Sequence, residues 1–195
     1  MAPSVSISIL VVALALCFIM HDTTNMVIIA PAFVAASVSL SPALQLEAKA
    51  VRESEWWSTS AYSNKSHCQW NGIKCNDEGS VTEINMGWVY VGEKYWKFNF
   101  SSFPNLVRLD LYYTGLRGSI PVEIGTLSKL TYLDLSWNSL TGELPLSLTN
   151  LTQLVLFDIS VNLIIGKIPS TIGLLTNLES LDLSWNQTMV PSPLN

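Results

Sequence analysis

A step of 24 residues runs through the chain, and it leaves few folds open. Leu109-Asp110-Leu111 recurs as Leu133-Asp134-Leu135, as Phe157-Asp158-Ile159 and as Leu181-Asp182-Leu183. Leu106, Leu130, Leu154 and Leu178 each stand three residues ahead of their triplet. Gly118, Gly142 and Gly166 keep the step, as do Pro121, Pro145, Pro169 and Pro193. Asn138, Asn162 and Asn186 also fall in line, with Thr114 in the matching place of the first clear unit. A fixed period of this size marks a stack of similar supersecondary units. No such unit buries its apolar face alone, so each is shielded by its neighbours.

The unit can be read residue by residue. Leu133 and Leu135 alternate with Tyr132, Asp134 and Ser136, the pattern of a short strand with one buried face. Asn138 and Asn162 stand where the chain turns away from the strand. Their amides suit the backbone groups that such a turn leaves unpaired, and Thr114 has less to offer there. Leu116, Leu140 and Ile164 then point inward, and the Gly and Pro positions allow and fix a bend. Ile124, Leu127, Leu148, Leu151, Ile172 and Leu175 fill the opposite side. Val81-x-x-Ile84-x-Met86 reads as a degenerate first unit, followed by an irregular insertion from Trp88 to Phe100.

The full unit, L-x-x-L-x-L-x-x-N-x-L-x-G-x-I-P, is clearest in Leu130 to Pro145. It resembles the plant-specific class of leucine-rich repeats. Ahead of it, Trp56-Trp57 and Cys68-x-Trp70-x-Gly72-Ile73-x-Cys75 resemble the N-terminal cap domain of the same proteins. The resemblance implies a right-handed α/β repeat solenoid with a parallel concave sheet and a helical N-terminal cap, and a Cys68–Cys75 disulfide. The division expected is 1–37 leader, 38–80 cap and 81–195 repeats, one degenerate, three clear and one incomplete. In the cap, Ser41-Pro42 suits a helix start, and Leu46, Ala50 and Trp57 recur at roughly helical spacing. Trp56, Trp57 and Trp70 read as core residues that seal the first coil. The whole is most similar to the ectodomain of plant leucine-rich-repeat receptor-like kinases, notably the subfamily whose members interact with the male-discoverer receptor. That resemblance implies an extracellular peptide or protein partner, a co-receptor among them, in defence or development. Two alternatives stay open: a secreted wall protein like the polygalacturonase inhibitors, and a truncated receptor product without function.

Composition and the termini bound the function. The chain carries a formal net charge of −5, with 13% charged and 49% apolar residues. An acidic chain with scattered cations lacks the basic patch that nucleic acid requires. Val5 to Met20 is an uncharged apolar run, and Ala35-Ala36-Ser37 offers a small-residue cleavage site, so 1–37 reads as a secretory leader with an uncleaved signal anchor as the alternative. Cys17 lies in it, which leaves an even pair of cysteines for an oxidising compartment. At the other end the repeat decays after Gln187 and no second cysteine pair follows. The expectation there is an apolar edge covered irregularly or by a partner, or a chain that is a truncated relative of a longer protein; the open edge also suits self-association.

No catalytic constellation is legible, and no cofactor is expected. His67 beside Cys68 hints at a metal site, but two thiols and one imidazole in an oxidising compartment favour the disulfide. Asp110, Asp134, Asp158 and Asp182 form a carboxylate ladder that suits a cation or general acid, yet Asp is ordinary at this place in the repeat. Four sequons are present, at Asn64, Asn99, Asn150 and Asn186. The first three are glycosylation candidates, whereas Asn186 doubles as a turn amide, which disfavours its modification.

The ligand-binding expectation falls on the strand face: Arg108, Tyr112, Tyr113, Tyr132, Asp134, Trp137, Asp158, Val161, Asp182 and Trp185, with Asp110, Ser136, Leu156, Ser160, Ser180 and Ser184 completing the exposed positions. Exposed aromatics beside an acidic row suit a peptide with apolar and basic groups. The competing reading is that Trp137 and Trp185 pack against neighbouring strand side chains. Four strands about 4.8 Å apart give a face of about 200 Å², small beside the ~800 Å² that each partner buries in a standard interface.

Overall fold

The computed structural model describes residues 41–57 and 65–187; the expected leader, Asn64 and the segment from Thr188 onward lie outside the described residues. The first element, α1 (Pro42–Glu53), starts as its sequence dictates. The Ser41 Oγ accepts the Leu44 N–H at 3.3 Å, and Pro42 occupies a position where its missing N–H costs nothing. Its inward face differs from the expected one. Glu47, Ala48, Ala50 and Val51 are buried, Leu46 is 57% exposed, and Trp57 lies past the helix end. A carboxylate takes the inward place because it has partners there. Glu47 accepts the Ser80 hydroxyl at 2.5 Å and the Val81 N–H at 2.8 Å, and His67 Nε2 stands 4.0 Å away. The helix is thereby tied to the first strand of the stack.

Two strands follow, β1 (Ile73–Cys75) and β2 (Val81–Asn85), paired antiparallel with a bulge between Lys74 and Cys75. Cys68 and Cys75 are joined in a disulfide. Trp56, Trp57 and Trp70 are buried, and their indole N–H groups donate to the carbonyls of Lys94, Asn71 and Lys65. Trp56 stacks on Phe98 at 4.2 Å, and Phe98 stacks on Phe103 at 4.8 Å. The insertion after Trp88 therefore belongs to the core: its 3-10 turns Gly92–Lys97 and Phe100–Ser102 bring Phe98 and Phe100 under the cap.

From β2 onward the stack is parallel. The strands β3 (Arg108–Asp110), β5 (Tyr132–Asp134), β7 (Leu156–Asp158) and β9 (Ser180–Asp182) extend it, in the order β1-β2-β3-β5-β7-β9. Leu109 pairs with Leu133, Leu133 with Phe157 and Phe157 with Leu181. A second parallel sheet, unforeseen in the sequence, forms where only a bend was expected: β4 (Arg117–Gly118), β6 (Ser139–Gly142) and β8 (Leu163–Ile164). Three coils close with a 3-10 helix entered through a proline: Val122–Thr126 after Pro121, Leu146–Asn150 after Pro145 and Ser170–Leu174 after Pro169.

The turn asparagines stitch adjacent coils. Asn138 Oδ1 accepts the Leu116 N–H at 2.9 Å, and its Nδ2 donates to Leu111 O and Leu135 O, both at 2.9 Å. Asn162 and Asn186 repeat this pattern one and two coils on. Thr114 Oγ1 donates to Leu111 O within its own coil and lies 3.4 Å from Asn138 Oδ1.

Candidate functional site

The parallel register sorts the strand face into columns. The first holds Glu83, Arg108, Tyr132, Leu156 and Ser180; the second holds Asn85, Asp110, Asp134, Asp158 and Asp182. Two residues on from the second column come Gly87, Tyr112, Ser136, Ser160 and Ser184, and beside them Trp88, Tyr113, Trp137, Val161 and Trp185.

The carboxylate column has a structural duty. Asp134 Oδ1 accepts the Ser136 N–H at 2.9 Å, Asp158 Oδ1 the Ser160 N–H at 2.8 Å, and Asp182 Oδ1 the Ser184 N–H at 2.9 Å. Each carboxylate caps the turn that ends its strand. Folding back in this way buries groups expected to be exposed: Asp110, Ser136 and Ser160 are all buried. Burial raises the Asp134 pKa above the ordinary carboxylate value; the Ser136 hydrogen bonds oppose that shift, and the nearby Asp158 and Asp110 add to it. Asp182 is held below the ordinary value by its hydrogen bonds to Ser184.

Charge divides the face in two. Arg108 lies 3.4 Å from the centre of the Tyr132 ring and 2.9 Å from Asp110, so its guanidinium is satisfied within the protein. Lys74 likewise meets Glu83 at 2.7 Å. Asp134, Asp158 and Asp182 have no cation paired with them among the described residues. That half of the face is negative and unanswered.

The outermost column has an unusual backbone. Trp88, Tyr113, Trp137, Val161 and Trp185 have φ of 68°, 51°, 56°, 54° and 57°. Bulky residues, and β-branched ones above all, rarely enter this left-handed region. A cross-coil ladder holds the first four there: the Trp88 N–H donates to Tyr112 O, Tyr113 to Ser136 O, Trp137 to Ser160 O and Val161 to Ser184 O, at 2.9 to 3.1 Å. Their side chains stand outward, with Trp88 71%, Tyr113 52%, Trp137 50% and Trp185 82% exposed. The two expected tryptophans are therefore surface residues. Trp88 was missed as a member of this column. Its signal was present, since it follows Met86 by the same two residues that separate Tyr113 from Leu111.

The remaining expected sites fall as follows. His67, Cys68 and Cys75 form a cluster within 4.8 Å, but the two sulfurs bind each other and offer no thiolate pair. Asn99 and Asn150 are exposed, whereas the Asn186 amide is engaged with the coil before it.

Comparison with known proteins agrees with this architecture. The family model described as Leucine Rich Repeat matches residues 105–127 and 129–151. The chain is 40% identical over 68 residues to the leucine-rich repeat receptor-like serine/threonine-protein kinase RGI4 of Arabidopsis thaliana, a match that covers 35% of this chain and 6% of that protein. The chain thus spans about one-twentieth of the length of the curated relatives it matches. Among solved structures, the BIR3–SERK2 complex of Arabidopsis thaliana superposes with a TM-score of 0.59 at 29% identity, covering 77% of this chain and 84% of that one. The plant peptide hormone receptor RGFR1, in complex with RGF2, superposes with a TM-score of 0.55 at 34% identity, covering 64% of this chain and 19% of that one. In its coil length, asparagine ladder and parallel sheet, the chain is a leucine-rich-repeat solenoid of the kind carried by plant receptor-kinase ectodomains.

Proposed function

We propose that this chain is an extracellular binding module whose strand face holds a short peptide segment bearing apolar and basic groups. The observation that supports it is the exposed aromatic column running beside three carboxylates that no cation answers. Rigid tryptophans and tyrosines supply contact area at low entropic cost, and an unpaired acidic row selects against acidic partners while attracting basic ones. The similarity to RGFR1, solved with RGF2, supports a peptide rather than a small molecule as the occupant. A segment laid across five parallel strands is matched to this face, whereas a whole globular partner needs more area than the face offers. A co-receptor-like protein contact would have to recruit the flank around Trp88 and Tyr90, which are 71% and 74% exposed.

The reading is tested by panning the purified, disulfide-bonded protein against a random peptide library and measuring selected peptides with Trp137→Ala/Trp185→Ala protein. The expected result is enrichment of basic and apolar residues and at least about tenfold weaker binding by the double variant, the cost of losing an aromatic anchor. Selected peptides that are acidic, or that bind both proteins equally, would remove this face as the binding site.

A further inference from the structure

We infer that Trp137, Val161 and Trp185 form a slot for one guanidinium side chain of the ligand, with Asp158 and Asp182 answering its charge; this rests on the peptide reading of the same face. Within the outer column, the rings of Trp88 and Tyr113 meet at one-coil spacing with centres 4.9 Å apart, whereas Tyr113 makes no ring contact with Trp137. Trp137 and Trp185 stand two coils apart, so the spacing between their side chains is about 10 Å. All three residues share nearly the same φ, so their side chains leave the backbone in the same direction. Val161, between the tryptophans and partly exposed, is too small to fill the volume that a ring would take at that place. A planar cation above Val161 would lie about 5 Å from each indole, inside the ~6 Å reach of a cation–π contact.

The neighbouring column supplies the charge. Asp158 Oδ1 is occupied by the Ser160 N–H at 2.8 Å, and Asp182 Oδ1 by the Ser184 N–H at 2.9 Å. Asp158 makes no further hydrogen bond to a described residue, and Asp182 bonds only to Ser184. The protein already displays this mode of recognition on itself: Arg108 lies on the Tyr132 ring and pairs with Asp110. In the two following coils the first-column places hold Leu156 and Ser180, so the carboxylates Asp158 and Asp182 recur without an internal arginine beside them, and the aromatic surface near them is the outer column. A flat guanidinium suits a gap between two rings better than the compact, strongly hydrated ammonium of lysine. An uncharged aromatic guest would fill the gap but leave the carboxylates unanswered.

The test uses acetyl-Gly-Gly-Arg-Gly-Gly-amide as probe, with counterparts carrying citrulline or phenylalanine in place of arginine. Protein labelled with 5-fluorotryptophan reports on Trp137 and Trp185 by fluorine NMR, the signals assigned with Trp→Phe variants. The arginine peptide should shift both signals saturably, and the isosteric citrulline peptide should bind at least about tenfold more weakly. Val161→Phe fills the slot and should abolish the response, whereas Val161→Ala, which leaves it open, should keep it. Asp158→Asn should weaken binding without undoing the turn, because Asn85 already caps the Gly87 N–H at 3.1 Å in the first coil. Equal responses to arginine and citrulline, a stronger response to phenylalanine, or an unchanged response in folded Val161→Phe each overturn the slot. Library-selected peptides separate this from failure of the broader reading: if they lose affinity in Trp137→Ala/Trp185→Ala but not in Val161→Phe, the slot falls and the peptide face stands.

Discussion

Single side chains carry the contacts between coils, and the asparagines carry most at each turn. Asn162 is buried and accepts the Leu140 N–H while donating to Leu135 O and Ile159 O. Removing the amide strands the buried Leu140 N–H, while Leu135 O and Ile159 O keep the amides of Asn138 and Asn186, so Asn162→Ala should cost about 1–3 kcal/mol by denaturant unfolding. A loss under about 1 kcal/mol would mean that this N–H finds another partner. Asn186 gives a second residue-scale prediction. Its amide nitrogen donates to Ile159 O and Leu183 O, so a glycan there and a folded coil exclude each other. Glycopeptide mapping of the chain produced through a eukaryotic secretory pathway should find Asn99 and Asn150 occupied and Asn186 bare. His67 gives a third. Burial lowers its pKa below the ordinary 6.5, with Glu47 opposing and Arg52 adding to the shift. The folded state resists the proton that the unfolded chain accepts, so stability present above pH 6.5 is lost as pH falls through the lower folded value. Urea midpoints at about pH 7.5 and about pH 5 should differ more for the native chain than for His67→Gln; equal differences would assign the acid sensitivity to other groups.

At the scale of elements, the 3-10 helices of successive coils stack, and the tightest contact is backbone on backbone. A Cβ placed on Gly125 would lie 2.4 Å from Ser147 O, whereas one placed on Gly173, two coils further, meets nothing within 4 Å. Gly125→Ala should therefore destabilise by about 1–3 kcal/mol through forced separation of the two helices. Gly173→Ala should be neutral or stabilising, since it only restricts the unfolded chain. Thermal unfolding of the two variants checks both signs, and a neutral Gly125→Ala would show the stack to be compliant. The same elements show what a sequence reveals. The main strands were legible because an alternation of two sits inside a step of 24. The second sheet was not, because Arg117–Gly118 and Leu163–Ile164 are too short to alternate. The aromatic column was half legible: Trp137, Val161 and Trp185 follow from the step, but their left-handed backbone runs against local propensity, and at Trp137 and Val161 it is tied to the next coil by hydrogen bonds. The buried Glu47 was unreadable, since its partners at Ser80 and Val81 lie more than thirty residues away.

For the molecule as a whole, a stack in which each coil touches only its neighbours has stability that is local and passed along in steps. The cap is then the first of those steps, and the Cys68–Cys75 disulfide joins its 3-10 turn His67–Gln69 to β1. Closing so short a loop in the unfolded chain contributes about 2–3 kcal/mol in the chain-entropy account, so Cys68→Ser/Cys75→Ser should lose about that much. Where the loss appears matters more than its size. Strand β1 meets only β2 in the sheet, and the buried tryptophans of the cap pack on one another and on Phe98. The β1–β2 amides should therefore exchange hydrogen fastest in the variant, while the amides joining β5 to β7 keep their protection. A stack that unfolds only as one body would instead lose protection equally in every coil. That outcome would replace stepwise coupling with a single cooperative unit, in which a change in the cap weakens the binding face as much as it weakens the cap.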